Sequence, residues 1–117
     1  MHEFSIAMSI IEIAEAEANK AKAKSVSEIV LDIGTMSGIE FFALDTALEM
    51  ATKKTMLEST KITINKIQAR ARCTECKSVF NIDQVYDPCP KCASLYHEIL
   101  SGKELQIKSL VVDVEEG

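Results

Sequence analysis

The chain has 117 residues, enough for one compact domain and one small appended module. A hydrophobic content of 47% can supply a core, while 13 Lys+Arg against 18 Asp+Glu leave a net charge of −5, a poor basis for general binding to nucleic acid or anionic membranes. No run approaches the ~20 apolar residues of a membrane span, since Ile6 to Ile13 is already broken by Ser9 and Glu12.

The chain opens Met-His-Glu rather than with the basic segment of a secretory signal, so the sequence predicts a cytoplasmic protein. Cysteines stay reduced in that compartment and are available to metal. Counting alone also permits a secreted four-cysteine disulfide framework, but the pairing described below argues against it.

Glu3 to Lys24 reads as one amphipathic helix. Phe4, Ala7, Met8, Ile11, Ala14 and Ala18 recur at helical spacing and form the predicted core stripe, with Glu12, Glu15, Lys20, Lys22 and Lys24 largely outside it. The Glu residues precede the Lys cluster, which suits the helix dipole. From Ser27 to Ile33 the period changes to two, with Ile29, Leu31 and Ile33 on one face of a half-buried strand. Gly34 and Gly38 bracket a turn, and Ser37-Gly38-Ile39-Glu40 has the spacing of a capping box. A second helix follows with Phe41, Leu44, Leu48 and Ala51 on one side, and Lys61 to Ile67 reads as a second strand.

Residues 70–97 differ in kind. They hold all four cysteines, both prolines and only a thin apolar set of Val79, Phe80, Ile82, Val85 and Tyr86. So short a segment rarely folds unaided, so a cross-link or metal is expected. Leu105 to Val114 returns to strand composition, but its apolar parity slips, which a bulge near Lys108-Ser109 repairs. The expected fold is α+β: two helices packed on a small, mostly antiparallel sheet, with an inserted zinc-ribbon-like module. Residues 1–69 and 98–117 form one domain, and 70–97 form a module inserted between the last two strands. Those two strands, 61–67 and 105–114, are expected to pair directly as its stalk. There is no internal repeat and no low-complexity linker.

Cys73-Thr-Glu-Cys76 and Cys89-Pro-Lys-Cys92 are two C-x-x-C pairs with twelve residues between them. Two residues between thiols let both sulfurs face one ion from a tight turn, and two such turns supply four soft ligands at ~2.3 Å. This spacing predicts a closed structural zinc site, which leaves no position for Lewis-acid chemistry. Lys77 and Lys91 stand beside the ligands, where they offset the residual negative charge. A thioredoxin-like redox motif has one such pair rather than two. Iron–sulfur clusters draw on the same sulfur chemistry, usually with other spacings.

His2 is one of two histidines and stands second in the chain. Methionine is normally retained before so large a residue. The Met1 amine, the His2 amide and the His2 imidazole then form one short chelating stretch, with the Glu3 carboxylate beside it. Deprotonated amides with imidazole favour square-planar nickel(II) or copper(II) over zinc. On the residues alone the other reading, a loose solvated terminus, stays open. His97, the other imidazole, reads as a partly exposed residue at the exit of the module.

Met-His-Glu-Phe-Ser at the start, Gly34-x-x-Ser37-Gly38-Ile39-Glu40, and C-x-x-C-x12-C-x-x-C followed by a strand with Ser-Leu-Val-Val together resemble the HypA/HybF family of nickel-insertion accessory proteins of hydrogenase maturation. The resemblance runs from Met1 nearly to the last residue. It implies nickel binding at His2 and Glu3, a nickel-binding or orienting role for Glu40, and zinc on Cys73, Cys76, Cys89 and Cys92. Glu40 also reads as the fourth member of a capping box. Two positions depart from the family pattern: Phe41 stands where Pro is frequent, and Ala93 where Gly is frequent. Neither is a ligand.

The resemblance implies a nickel metallochaperone with nickel(II) as transient cargo and zinc(II) as scaffold. Its implied partners are a hydrogenase-maturation GTPase and the large subunit of a nickel–iron hydrogenase, and a homodimer is compatible with the chain. No enzyme activity is expected, because Gly34, Gly38, Gly102 and Gly117 cannot form a phosphate-cradling loop ending in Lys-Ser/Thr. Two rival classes make different demands. A zinc-ribbon nucleic-acid binder would use Arg70, Arg72, Lys77 and Lys91 with Phe80 and Tyr86, yet the module's basic excess is a single charge. A thiol oxidoreductase needs a reactive Cys73 or Cys89 in the metal-loaded protein.

Overall fold

The computed structural model describes residues 3–114, so the expectations for Met1 and His2 fall outside the described residues. The element order is α1 (Glu3–Lys20), β1 (Ala23–Gly34), α2 (Phe41–Ala51), β2 (Lys61–Ile67), β3 (Arg70–Cys73), β4 (Val79–Asn81), β5 (His97–Ser101) and β6 (Leu105–Val114). Two helices and two three-stranded sheets give the α+β class expected. Among the described residues no helix is long and apolar enough to cross a membrane.

By compactness the chain divides into two units. The first holds residues up to Leu31, Ile39–Ile64 and Ile107 onward; the second holds Asp32–Gly38 and Asn65–Gln106.

In the first unit α1 packs against α2. Ala7, Ile11, Ala14 and Ala18 are buried as the periodicity predicts, but the stripe turns toward Ile6 and Ile10, leaving Phe4 and Met8 exposed. Ala7, Ala14 and Ala18 keep this side of the helix slim, and the Ile6 and Ile10 shoulder supplies the bulk. Leu44, Ala47 and Leu48 are the buried residues of α2. The first helix ends at Lys20 rather than Lys24, because Lys22 takes a left-handed conformation (φ 58°) and turns the chain directly into β1.

The first sheet has the order β2-β1-β6. Direct pairing of β2 with β6 does not occur, because β1 lies between them. Its apolar set decides this: Ile29, Leu31 and Ile33 are essentially inaccessible, whereas β2 and β6 carry only half-buried or exposed positions. The strand with most to bury takes the centre. Along β6 the half-buried residues are Ile107, then Leu110 and Val112, so parity changes across Lys108-Ser109, where the sequence placed the slip.

The second sheet, in the second unit, has the order β4-β3-β5, and both pairings are antiparallel. Ala71 and Cys73 alternate with exposed Arg70 and Arg72, a period-two pattern that turns one face of β3 into a small core. That core holds Ala69, Ala71, Cys73, Phe80, Ile82 and Cys89, with Met36 and Ile99 packed against it. Of the thin apolar set, only Phe80 and Ile82 enter it; Val79, Val85 and Tyr86 are exposed.

Within this unit two glycines allow a close crossing of backbones. The Gly34 amide donates to Glu104 O at 2.8 Å and the Met36 amide to Gly102 O at 2.7 Å. A Cβ on Gly34 would lie 1.9 Å from Gly102 O, an atom fixed by those bonds. Gly34→Ala is therefore expected to cost about 2–3 kcal/mol through backbone displacement. Gly38→Ala, at φ 84° but with open space around it, should cost only about 1 kcal/mol. Thermal unfolding of the two variants checks the contrast, and equal losses would contradict it.

Candidate metal centre

The four cysteine sulfurs converge. All four Sγ atoms lie within 4.8 Å of one another, with Cys73 and Cys89 buried and Cys76 and Cys92 exposed. Cys73 Sγ is 3.5 Å from Cys92 Sγ, and Cys76 Sγ is 3.6 Å from Cys89 Sγ. A tetrahedron whose corners lie ~2.3 Å from its centre has edges of about 3.8 Å, so this cluster fits a tetrahedral ion of zinc's size with little movement.

Two turns of the same construction place the sulfurs. In the first, the Cys73 amide donates to Ser78 O and the Lys77 amide to Cys73 O; in the second, the Cys89 amide donates to Ser94 O and the Ala93 amide to Cys89 O. Amides point at sulfur in both, from Cys76 to Cys73 Sγ at 3.5 Å and from Lys91 to Cys89 Sγ at 3.4 Å. The residue after each second cysteine is left-handed, Lys77 at φ 67° and Ala93 at φ 63°. Sequence reasoning missed the serines. The signal was present, because Cys73–Ser78 and Cys89–Ser94 both read C-x-x-C-x-Ser, a six-residue internal repeat where none was expected. Thr74 ties the first turn to the strand that follows the second, donating to Tyr96 O from its amide at 3.0 Å and its hydroxyl at 3.1 Å.

Crowding divides the thiols. The Cys76 amide facing its sulfur holds the Cys73 thiol below its ordinary range. The Ser78 hydroxyl and backbone lower Cys76 to about 6. The Ser94 amide favours a thiolate at Cys92, but the Cys73, Cys76 and Cys89 sulfurs outweigh it and push Cys92 up to about 12. Such a group sheds its last protons only to a cation, which is the behaviour of a metal site.

His97 stands opposite Cys73 across the β3–β5 pairing. It is half-buried on the inner face, with its ring edge-on to Phe80 at 6.3 Å. Its shielded Nδ1 has no hydrogen-bond partner among the described residues, and it is not part of the sulfur cluster.

A second meeting point lies in the first unit. Glu40 is the N-cap of α2, its carboxylate accepting from the Ala43 amide. The expected capping box headed by Ser37 does not form, because Gly38 at φ 84° cannot belong to a helix. Glu3, in the first turn of α1, accepts the Glu40 amide at Oε2 with 3.1 Å. The structure thus joins two of the three residues expected to handle nickel, through backbone as well as carboxylate; the third, His2, lies outside the described residues. Phe41 is the first helical residue, a position whose φ proline's ring also fits.

Comparisons with known proteins agree on a family. Residues 1–112 match the sequence model of HypA, described as a metallochaperone of hydrogenase and urease nickel incorporation. The hydrogenase maturation factor HypA of Parabacteroides distasonis is 41% identical over 115 residues, covering 98% of this chain and all of that one. Its counterpart in Geotalea uraniireducens is 37% identical over 113 residues, covering 97% and 100%. The solution structure of the nickel metallochaperone HypA from Helicobacter pylori superposes with a TM-score of 0.68 at 27% identity, covering 98% of this chain and all of that one.

Two variants test the turns. Cys73→Ala should abolish metal retention and strip hydrogen-exchange protection from β3 to β5, since a structural ion contributes on the order of 10 kcal/mol; protection that survived would remove the structural role. Ala93→Gly relieves a left-handed residue and should stabilise the second unit by about 1 kcal/mol, measured as slower metal loss to a chelator.

Proposed function

We propose that the chain, which belongs to the HypA family, is a nickel metallochaperone: it binds nickel(II) at its amino terminus and delivers it during maturation of a nickel–iron hydrogenase. It is not an enzyme; it carries a metal rather than transforming a substrate. Zinc is the scaffold ion, held by Cys73, Cys76, Cys89 and Cys92. Nickel is cargo, bound by the Met1 amine and by the amide and imidazole of His2. Its partners are a maturation GTPase and the hydrogenase large subunit, and it works in the cytoplasm. The inserted module comprises residues 70–97.

The observation that supports this reading best is the hydrogen bond from the Glu40 amide to Glu3 Oε2. A short chelate at a chain end binds weakly if it must first be ordered, and each decade of affinity is worth about 1.4 kcal/mol. Glu3, the residue that follows His2 in the chain, is anchored through its carboxylate to the start of a second helix. Glu40, whose carboxylate is committed to the Ala43 amide, sets the position of that anchor. The site is chemically distinct from the sulfur cluster: nitrogen donors suit nickel(II), and four thiolates suit zinc.

Nucleic-acid binding gains little support. Arg72 faces Glu98 across the β3–β5 pairing, which offsets one of the module's few cationic positions.

Three measurements follow from the nickel site. Protons compete with the metal for the imidazole, so nickel affinity should fall as pH drops through about 6.5 while zinc stays bound; a flat profile would contradict His2 ligation. Extra residues before Met1 remove the free amine, and affinity should fall at least about tenfold, toward that of His2→Ala, with zinc content and helicity unchanged. Glu3→Gln keeps a carbonyl acceptor for the Glu40 amide and should retain most nickel affinity, whereas Glu3→Ala should lose it. Equal losses in these two variants would make Glu3 a charged ligand rather than an anchor.

A further inference from the structure

Of the 13 Lys+Arg residues only two are arginine, Arg70 and Arg72, and both stand on β3. They alternate with the buried Ala71 and Cys73, so both project from the outer face of the second sheet. The neighbouring strands complete that face. On β4, Asn81 lies opposite Arg70 and Val79 opposite Arg72; on β5, Glu98 lies opposite Arg72. A register shift between Arg70 and Ala71 makes Leu100 the extra residue of a bulge beside Arg70, and Leu100 is exposed like Glu98.

Neither guanidinium has a hydrogen-bond or ion-pair partner among the described residues, although Glu98 stands across from Arg72. Lysine would solvate such a face equally well, and it is the cation used everywhere else in the chain. Arginine adds a planar fork, whose paired N–H donors grip one carboxylate or phosphate with two parallel hydrogen bonds. Two residues apart on a strand, the forks spring from backbone positions about 6.6 Å apart. An extended peptide repeats its side chains on one face at the same spacing. Asp or Glu at alternate positions therefore presents one carboxylate to each fork.

We propose that the outer face of the β4-β3-β5 sheet docks an acidic peptide segment of a partner protein, with Arg70 and Arg72 each clamping one carboxylate. Val79 and Leu100, both 41% exposed, flank the arginines on the outer strands and give the aliphatic parts of such a segment a surface to pack on. Nucleic acid fits this face less well. Its bases need aromatic platforms, and the one aromatic residue of these strands besides His97, Phe80, is buried on the inner side. Glu98 opposes a continuous run of phosphates, and a net charge of −5 repels a long polyanion more than a short segment. The inference goes beyond nickel carriage and uses no ligand of either metal.

A blocked peptide, Glu-Val-Glu-Val-Glu, titrated into the full-length, zinc-loaded chain tests it. The readout is the pair of arginine Nε–Hε signals, which only Arg70 and Arg72 supply. Both signals should shift, with a dissociation constant of about 0.1–1 mM. Arg70→Lys and Arg72→Lys keep the charge and lose the fork; each should weaken binding about three- to tenfold, with zinc content and helicity unchanged. Glu98→Gln removes the competing carboxylate and should tighten binding about two- to threefold. The isomer Glu-Glu-Glu-Val-Val carries the same charge at another spacing and should bind about threefold more weakly. Arginine signals unmoved at about 5 mM peptide would overturn the proposal. So would lysine variants that bind like the wild type, or an isomer that binds equally well. A short oligothymidylate that moved both signals at a lower concentration than the peptide would assign the face to nucleic acid instead.

Discussion

Four thiols held within 4.8 Å of one another cannot all ionise unaided, and the turns that hold them have no other core to rely on. Amides and a serine hydroxyl favour the charge on Cys73 and Cys76, while Cys92 is forced to keep its proton. A dication removes the conflict, and in doing so takes the place of the apolar core that the second unit lacks beyond Ala69, Ala71, Phe80 and Ile82. The sheet β4-β3-β5 depends on this, since its central strand ends on Cys73, itself buried among the core side chains.

The same economy explains why the sulfur cluster suits a resident ion and not a cargo. Two of its sulfurs are buried, and all four positions of a tetrahedral ion are filled by protein, so exchange requires opening the turns. A carrier must release what it binds, which calls for few ligands near the surface. The nickel site proposed above, at the start of α1 and the start of α2, has that setting, with Glu3 half-buried, Glu40 exposed, and a hydrogen bond from the Glu40 amide to the Glu3 carboxylate. Both regions use backbone amides to position their side chains, toward sulfur in one and toward carboxylate in the other.

The cysteine turns were the most legible part of the sequence, because metal chemistry dictates both residue type and spacing. The helices and the strand Ile29-Leu31-Ile33 were legible from periodicity. What escaped were choices made by tertiary packing. Phe4 and Met8 lie on the predicted stripe, yet α1 rotates toward Ile6 and Ile10. Strand order escaped because neighbouring in sequence suggested pairing, whereas burial put β1 in the centre. Glu40 showed capping chemistry but not its own place at the cap, which depended on the positive φ of Gly38. The serines behind each cysteine pair were visible as a short repeat, overlooked because the cysteines explained the spacing without them.

The central claim is that one chain keeps two metals apart by ligand chemistry. X-ray absorption at the zinc and nickel edges of a single sample, loaded with one equivalent of each, tests it most directly. The account predicts four sulfurs at ~2.3 Å around zinc and only nitrogen or oxygen, imidazole included, around nickel. Sulfur in the nickel shell would place the cargo on the cysteines and contradict it.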